Sequence, residues 1–211
     1  MQQNKTESED TPINSGENLV LDENYWSNRY DDGTAFWDLG EVSPPLKNYI
    51  DQLADKNLRI LIPGCGNTYE ADYLLKMGFT DVTVIDIAPA LVAQLKEKYK
   101  DNLQIKIILG DFFKHEGEYD LILEQTFFCA IDPALRKDYV AKMPELLAPN
   151  GKLVGVLFNR QFEQQGPPFG GFKYQYEPMF EKDFKFNTFE LCNNSFVKRQ
   201  GTELFINLSK K

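Results

Sequence analysis

Apolar and polar positions alternate in blocks through the middle of this chain, and the blocks read in turn as strands and helices. The run 58–63, Leu-Arg-Ile-Leu-Ile-Pro, predicts a first strand. Ala71, Leu74 and Leu75 follow at helical spacing, and Gly78 is expected to end that helix. Residues 82–86 predict a second strand, and Leu91, Leu95 and Tyr99, at i, i+4 and i+8, a second helix. Further strands are expected over 104–109 and 119–124. A helix over 134–147 would bury Val140, Met143 and Leu147. Pro149-Asn150-Gly151 predicts a turn into a fifth strand, 152–158. Near-continuous apolar strands separated by helices imply a parallel sheet covered on both faces.

Both ends of the chain depart from this rhythm. Residues 184–191 and 202–208 alternate weakly, which fits an antiparallel hairpin completing a seven-stranded sheet. Gly166-Pro167-Pro168-Phe169-Gly170-Gly171 reads as a loop. Ser43-Pro44 looks like an N-cap and helix start, with Leu46, Tyr49, Ile50 and Leu53 on one face. Upstream, Tyr25, Trp26, Tyr30, Phe36 and Trp37 crowd together, and residues 1–18 are polar and acidic. The expectation is a disordered tail over 1–18 and one domain over 19–211, without repeats.

Composition narrows the class. The 32 acids outnumber 23 bases, for a net charge of -9, which argues against a nucleic-acid surface. No apolar run approaches the roughly 18 residues of a membrane-spanning helix. The N-terminus lacks the pattern of a secretory signal. Three cysteines, Cys65, Cys129 and Cys192, are too few and scattered for a disulfide framework or metal cluster. The chain thus reads as a soluble, cytoplasmic monomer that takes a small-molecule substrate, with neither nucleic acid nor membrane as partner.

The candidate chemistry sits where strands end. Gly64-Cys65-Gly66 closes the first strand, and Asp86 closes the second, twenty residues past Gly66. Glycines let backbone approach a ligand closely, and a carboxylate at that place can accept from both ribose hydroxyls. A dinucleotide motif asks for a third glycine, but Tyr69 stands there, and no Gly-Lys-Ser/Thr phosphate loop occurs. This counts against an NAD-dependent oxidoreductase. S-adenosylmethionine carries no phosphate, and its adenine has a place at Gly110-Asp111-Phe112-Phe113 after the third strand. There an acid can accept from the amino group and a ring can pack on the base. The plainer alternative is that Asp86 and Asp111 cap the helices that follow. Three coincident strand-end placements favour the ligand.

Four blocks extend the pattern: Trp26-x-x-x-Tyr30 with Trp37 and Val42-Ser43-Pro44; Ile62 to Gly66 with Asp86-Ile87; Glu124-Gln125-Thr126-Phe127-Phe128-Cys129-Ala130-Ile131-Asp132-Pro133 with Arg136; and Gly166-Pro167-Pro168-Phe169. Together they resemble the thiopurine S-methyltransferase family, and within it the plant-type halide/thiol methyltransferases, over about residues 20–209. The resemblance implies a Rossmann-like class I methyltransferase fold that uses S-adenosylmethionine to methylate a small soft nucleophile. It also implies that Trp26, Tyr30 and Trp37 fold over the cofactor. Gly64 would lie under its methionine part, Asp86 on the ribose and Asp111-Phe112 at the adenine. Tyr30 replaces a tryptophan of the plant-type pattern. Gln125 takes a cofactor-contacting position held by Arg in the thiopurine branch and Tyr in the plant-type branch. That departure motivates an alternative, a non-catalytic cofactor-binding regulator or partner protein.

Methyl transfer from a sulfonium is an in-line displacement with a neutral leaving group, so alignment and exclusion of water carry most of the work. Neither a metal nor a covalent nucleophile is needed. Glu124, Asp132 and Arg136 are the polar groups expected near the acceptor, and no side chain is assigned a catalytic role. Glu124 serves equally well as a backbone brace. Arg136 is expected to order a loop through a carboxylate, and His115 to be solvated. Cys65 and Cys129 are expected to be packing residues.

Overall fold

The computed structural model describes residues 19–33 and 37–211. The acidic segment 1–18 and Phe36 lie outside the described residues. Seven strands form one sheet: β1 Arg59–Pro63, β2 Asp81–Asp86, β3 Ile105–Leu109, β4 Tyr119–Gln125, β5 Leu147–Phe158, β6 Phe184–Leu191 and β7 Glu203–Lys210. Their order is β3-β2-β1-β4-β5-β7-β6. The first five strands pair in parallel, whereas β7 runs antiparallel to both β5 and β6. The doubly wound sheet and its closing hairpin agree with the sequence pattern.

Period-two alternation sends side chains to opposite faces of the sheet. Ile60 and Ile62 of β1 and Leu121 and Leu123 of β4 join one buried cluster with Leu46, Ile50, Leu74 and Leu91. These last residues come from α2 Pro44–Asp51, α3 Tyr69–Lys76 and α4 Pro89–Lys98. Leu61 and Ile122 point the other way, into a cluster with Tyr139, Val140 and Met143 of α5 Arg136–Leu146 and Tyr176 and Phe180 of α6 Lys173–Phe180. The helices therefore cover both faces, as the apolar strands require.

The structure differs from the sequence reading in four places. The predicted turn at 149–151 lies inside β5: Tyr119 pairs with Leu147 and Leu121 with Lys152, so four residues of β5 bulge opposite Asp120. Asn150, at φ +64°, accommodates the bend. Helix α6 was not expected, because it carries Pro178 and buries only Tyr176 and Phe180. Helix α1, Glu23–Asp31, was read only as an aromatic cluster. Its start is set by Asp22, whose carboxylate accepts from Tyr25 N at 2.8 Å. Ser43 does precede α2, but its side chain makes no cap; instead its backbone N–H donates to the buried Glu70 carboxylate at 3.1 Å.

The chain steps outward from β1 to β3, then returns to place β4 against the other edge of β1. The carboxyl ends of β1 and β4 therefore flank a crevice, the place where open α/β sheets bind ligands.

Candidate active site

A cavity of about 420 Å³ opens in that crevice. One half is built by strand ends: Gly64 after β1, Asp86 and Ile87 at β2, Gly110 to Phe113 after β3. The other half is built by Leu19 to Asp22, by Cys129 to Asp132 with Leu135, and by Pro167-Pro168. Thr126 and Phe127, just past β4, stand between the two halves. Trp26, Tyr30 and Trp37 complete the wall. Of the eight residues that the sequence assigns to the cofactor, only Gln125 is absent from this cavity. It lines a smaller one, about 50 Å³, beside Gly64 to Glu70, shared with Tyr30, Trp37 and Asp38.

The glycine turn is set by backbone geometry. Gly64 and Gly66 have φ of +54° and +53°, a region that glycine enters without steric cost. A Cβ on Gly64 would stand 2.2 Å from Cδ2 of Phe127, so that ring lies directly on the glycine. The Asp86 carboxylate reaches back across the turn. Its Oδ2 accepts from Gly66 N at 3.1 Å, and its Oδ1 from Ala88 N at 3.0 Å. Burial raises the Asp86 pKa, with the Ala88 and Gly66 N–H groups acting against the rise. Asp111 accepts from Phe113 N at 2.9 Å and so caps the short 3-10 turn Phe112–Lys114. The capping reading therefore holds for Asp111 alone: α4 has Ala88 as its N-cap with no side-chain cap bond, and Asp86 instead braces the backbone on either side of it. Neither role competes with ligand binding, because each carboxylate has about four acceptor positions and two or fewer are used here.

The aromatic residues form an edge-to-face group. Trp37 lies 5.5 Å from Trp26 and 5.9 Å from Tyr30, centroid to centroid. Burial, then the nearby Asp86, pushes the Tyr30 phenol up and keeps it neutral. Trp26 and Tyr30 also pack against the buried cluster on the α2–α4 face, so one edge of the group is core and the other is cavity wall. A long-range bond fixes Trp37: its carbonyl accepts from Arg199 Nη2 at 2.6 Å. Arg199 in turn pairs with the buried Glu203 at 3.3 Å.

Behind the cavity, the segment after β4 is held from two sides. Glu124 is fully buried. Its Oε1 accepts from Phe127 N at 2.7 Å and Phe128 N at 3.0 Å, and its Oε2 from the Tyr139 hydroxyl at 2.5 Å. Glu124 is thus a backbone brace. Arg136 orders the 166–171 loop through carbonyls rather than the expected carboxylate, donating to Phe169 O at 2.9 Å and Gly170 O at 3.1 Å. Its guanidinium also lies 4.8 Å from the centre of the Phe128 ring. Carbonyls win because the loop brings no acid to this buried spot. Arg136→Ala is expected to cost about 2–4 kcal/mol, since charge-assisted bonds and stem packing are lost together. Urea unfolding measures it, and Arg136→Lys is expected to recover less than half, lacking the planar fork.

The remaining candidates fall where their chemistry predicts or just beside it. Asp132 lines the cavity and caps the turn Pro133–Leu135 through Ala134 N at 2.8 Å. Cys129 lines the cavity with its thiol donated to Thr126 O at 3.0 Å, and burial pushes it up to about 12. Cys65 is buried in the core. His115 is half-buried rather than solvated, 2.8 Å from the Tyr119 hydroxyl, and lies outside the cavity. Burial lowers its pKa. The wall at Leu19-Val20-Leu21 was missed. Its signal was an apolar triplet directly after the polar tail.

These features fit S-adenosylmethionine. Gly64 lines the cavity at the turn, and aromatic faces suit a sulfonium. Gln125 Oε1 and Thr68 Oγ1, both buried in the smaller cavity, have no partner among the described residues. Unpaired buried polar atoms beside a glycine turn suit the polar amino-acid end of that cofactor. Among the described residues no group of acids, cysteines and histidine is arranged for a metal, and no helix is long and apolar enough to cross a membrane.

Comparison with known proteins agrees with this geometry. The family model described as thiopurine S-methyltransferase matches residues 21–207. The chain is 31% identical over 159 residues to a probable thiol methyltransferase 2 of Arabidopsis thaliana, covering 72% of this chain and 69% of that one. It is 28% identical over 192 residues to thiocyanate methyltransferase 1 of Brassica oleracea, covering 87% and 84%. Its fold is similar to that of the 1,6-didemethyltoxoflavin-N1-methyltransferase of Burkholderia thailandensis, solved with S-adenosylhomocysteine. That match has a TM-score of 0.74 at 16% identity, over 95% of this chain and 94% of that one. These relatives carry enzyme names, and nothing among them favours a non-catalytic role.

Proposed function

The chain belongs to the thiopurine S-methyltransferase family and is an S-adenosylmethionine-dependent methyltransferase, and on that premise we propose that it methylates a small soft nucleophile: a thiol, bisulfide, halide or thiopurine-like thiol. The observation that carries this reading is the half of the cavity beyond the strand ends. Leu19, Val20, Ile131, Leu135, Pro167 and Pro168 make it mostly apolar beside Asp22 and Asp132, and among the described residues no Lys, Arg or His lines the cavity. Such a wall offers little solvation to a hard oxygen or nitrogen nucleophile, while a larger, polarisable sulfur or halide, more weakly hydrated, loses less on entering.

The cofactor, when bound, supplies an activated methyl group on a cationic sulfur. The chain's own residues do the rest. Asp86 accepts from the ribose hydroxyls, Asp111 from the adenine amino group, and Phe112 packs on the base. Gly64 permits close approach of the methionine part, and Gln125 meets its polar end. Trp26, Tyr30 and Trp37 cover the site, excluding water and facing the sulfonium with their rings. A thiol acceptor must shed its proton to attack well, and Asp132 and Asp22 are the carboxylates at that end of the cavity. The protein works as a monomer, with residues 19–211 as one unit. Its acidic charge and three buried free thiols support a reducing, cytoplasmic setting.

Transfer of labelled methyl to benzenethiol, bisulfide, thiocyanate, iodide, a catechol and a primary amine tests the reading. Turnover is expected for sulfur or halide acceptors at more than tenfold the kcat/KM of the oxygen and nitrogen acceptors, a gap of about 1.4 kcal/mol or more. Preference for the catechol or the amine would overturn it.

A further inference from the structure

Glu124 lies one residue before the site and lines neither cavity, yet the segment it holds makes a wall of both. Its carboxylate gathers three donors: two successive backbone N–H groups of the turn and the Tyr139 hydroxyl of α5. Two of these bonds fix Phe127 and Phe128, and Thr126 between Glu124 and Phe127 sits at φ +63°, a conformation a threonine adopts only when held. Phe127 then covers Gly64 and meets Phe112 edge-on at 5.2 Å. On the opposite side, Gly155 of β5 lies so close that a Cβ there would stand 2.4 Å from the Cβ of Glu124. The base of the side chain is therefore packed against β5 while its carboxylate holds the turn.

We propose that Glu124 is a positioning residue whose ionised carboxylate holds the Thr126–Phe128 turn in its cofactor-receiving form, making cofactor affinity dependent on the proton it carries. A carboxylate is acceptor-only, which matches three donors around two oxygens. A carboxylic acid in the same place puts a fourth hydrogen among them. Either Tyr139 must turn its hydrogen away or the N–H groups lose half their acceptor, and the charge-assisted strength goes in both cases. Burial pushes the group up to about 7, against the pull of Tyr139 and the two N–H groups, so the change falls in the neutral range. The titratable groups facing it are the Tyr139 phenol from α5 and the Cys129 thiol from the turn, both raised by burial and neutral there. Gly155 and Phe112 bring no charge, and among the described residues no cation bonds to Glu124.

The sign separates positioning from mere support. A carboxyl raised by burial stabilises the fold fully below its ordinary value, 4.5, and loses that contribution as pH rises through about 7. Fold stability from this group thus falls with rising pH, while cofactor affinity rises. Calorimetry with S-adenosylhomocysteine from about pH 6 to about pH 8 is expected to show affinity rising roughly three- to tenfold. In Glu124→Gln, which keeps an acceptor for the two N–H groups but cannot ionise, that Glu124-linked rise is expected to vanish. An equal rise in wild type and Glu124→Gln would overturn the proposal. Tyr139→Phe gives a second reading: losing a bond that favours the charged form, it is expected to move the midpoint to higher pH. An unmoved midpoint would also overturn it. Because the probe needs no methyl acceptor, failure here is separate from failure of the soft-nucleophile reading.

Discussion

Asp86→Ala is expected to weaken S-adenosylhomocysteine binding by roughly ten- to a hundredfold, or about 1–3 kcal/mol. The carboxylate has two duties that alanine ends together. It would leave the ribose hydroxyls unpaired, and it frees Gly66 N and Ala88 N, now bonded at 3.1 and 3.0 Å. Asp86→Asn divides the duties. Its carbonyl oxygen still accepts from Ala88, but its amide then faces the Gly66 N–H, donor against donor. Calorimetry beside thermal unfolding reads the two effects. If the ribose contact dominates, both variants lose affinity with little change in melting temperature. Affinity unchanged in both would reduce Asp86 to a brace of the glycine turn.

The second large effect is expected at Gly64. Gly64→Ala places a methyl 2.2 Å from Cδ2 of Phe127 on a backbone at φ +54°. The left-handed conformation costs a non-glycine residue about 1–2 kcal/mol, and overpacking about 1–3 more. Gly78→Ala is the internal control, because at φ +87° nothing stands within 4 Å of its Cβ. Gly78→Ala carries the backbone cost alone. Denaturant unfolding is expected to separate the two variants by the packing cost, and only Gly64→Ala is expected to lose S-adenosylhomocysteine affinity. Equal losses would show that the Phe127 ring moves aside freely.

Much of this was legible in the residues because its causes are local. Continuous apolar runs mark buried parallel strands, and a glycine pair or an acid at a strand end falls in the crevice by topology alone. The strand-end set Gly64, Asp86, Asp111 and Phe112 therefore gathers around one cavity as the pattern predicts. What escaped depends on partners far along the chain. The bulge in β5 exists because of its pairing with β4. Helix α6 is held by two buried aromatics against the sheet rather than by its own pattern, and it tolerates Pro178. Arg136 found carbonyls 33 and 34 residues away, which no local spacing announces. Gln125 shows the limit most clearly. Its place in the chain is right for the site, yet one step of strand alternation turns it into the smaller cavity.

The bond from Arg199 to the Trp37 carbonyl joins positions 162 residues apart. It ties the aromatic cover to the connector between the last two strands. All the strand-end groups proposed to meet the cofactor precede β5, so a chain trimmed after Phe158 would keep every one of them. It would nevertheless lose the guanidinium that holds the Trp37 carbonyl in the cavity wall. The antiparallel hairpin is thus more than an edge that finishes the sheet: through Arg199 the last part of the chain holds a wall of the cavity that the first part builds.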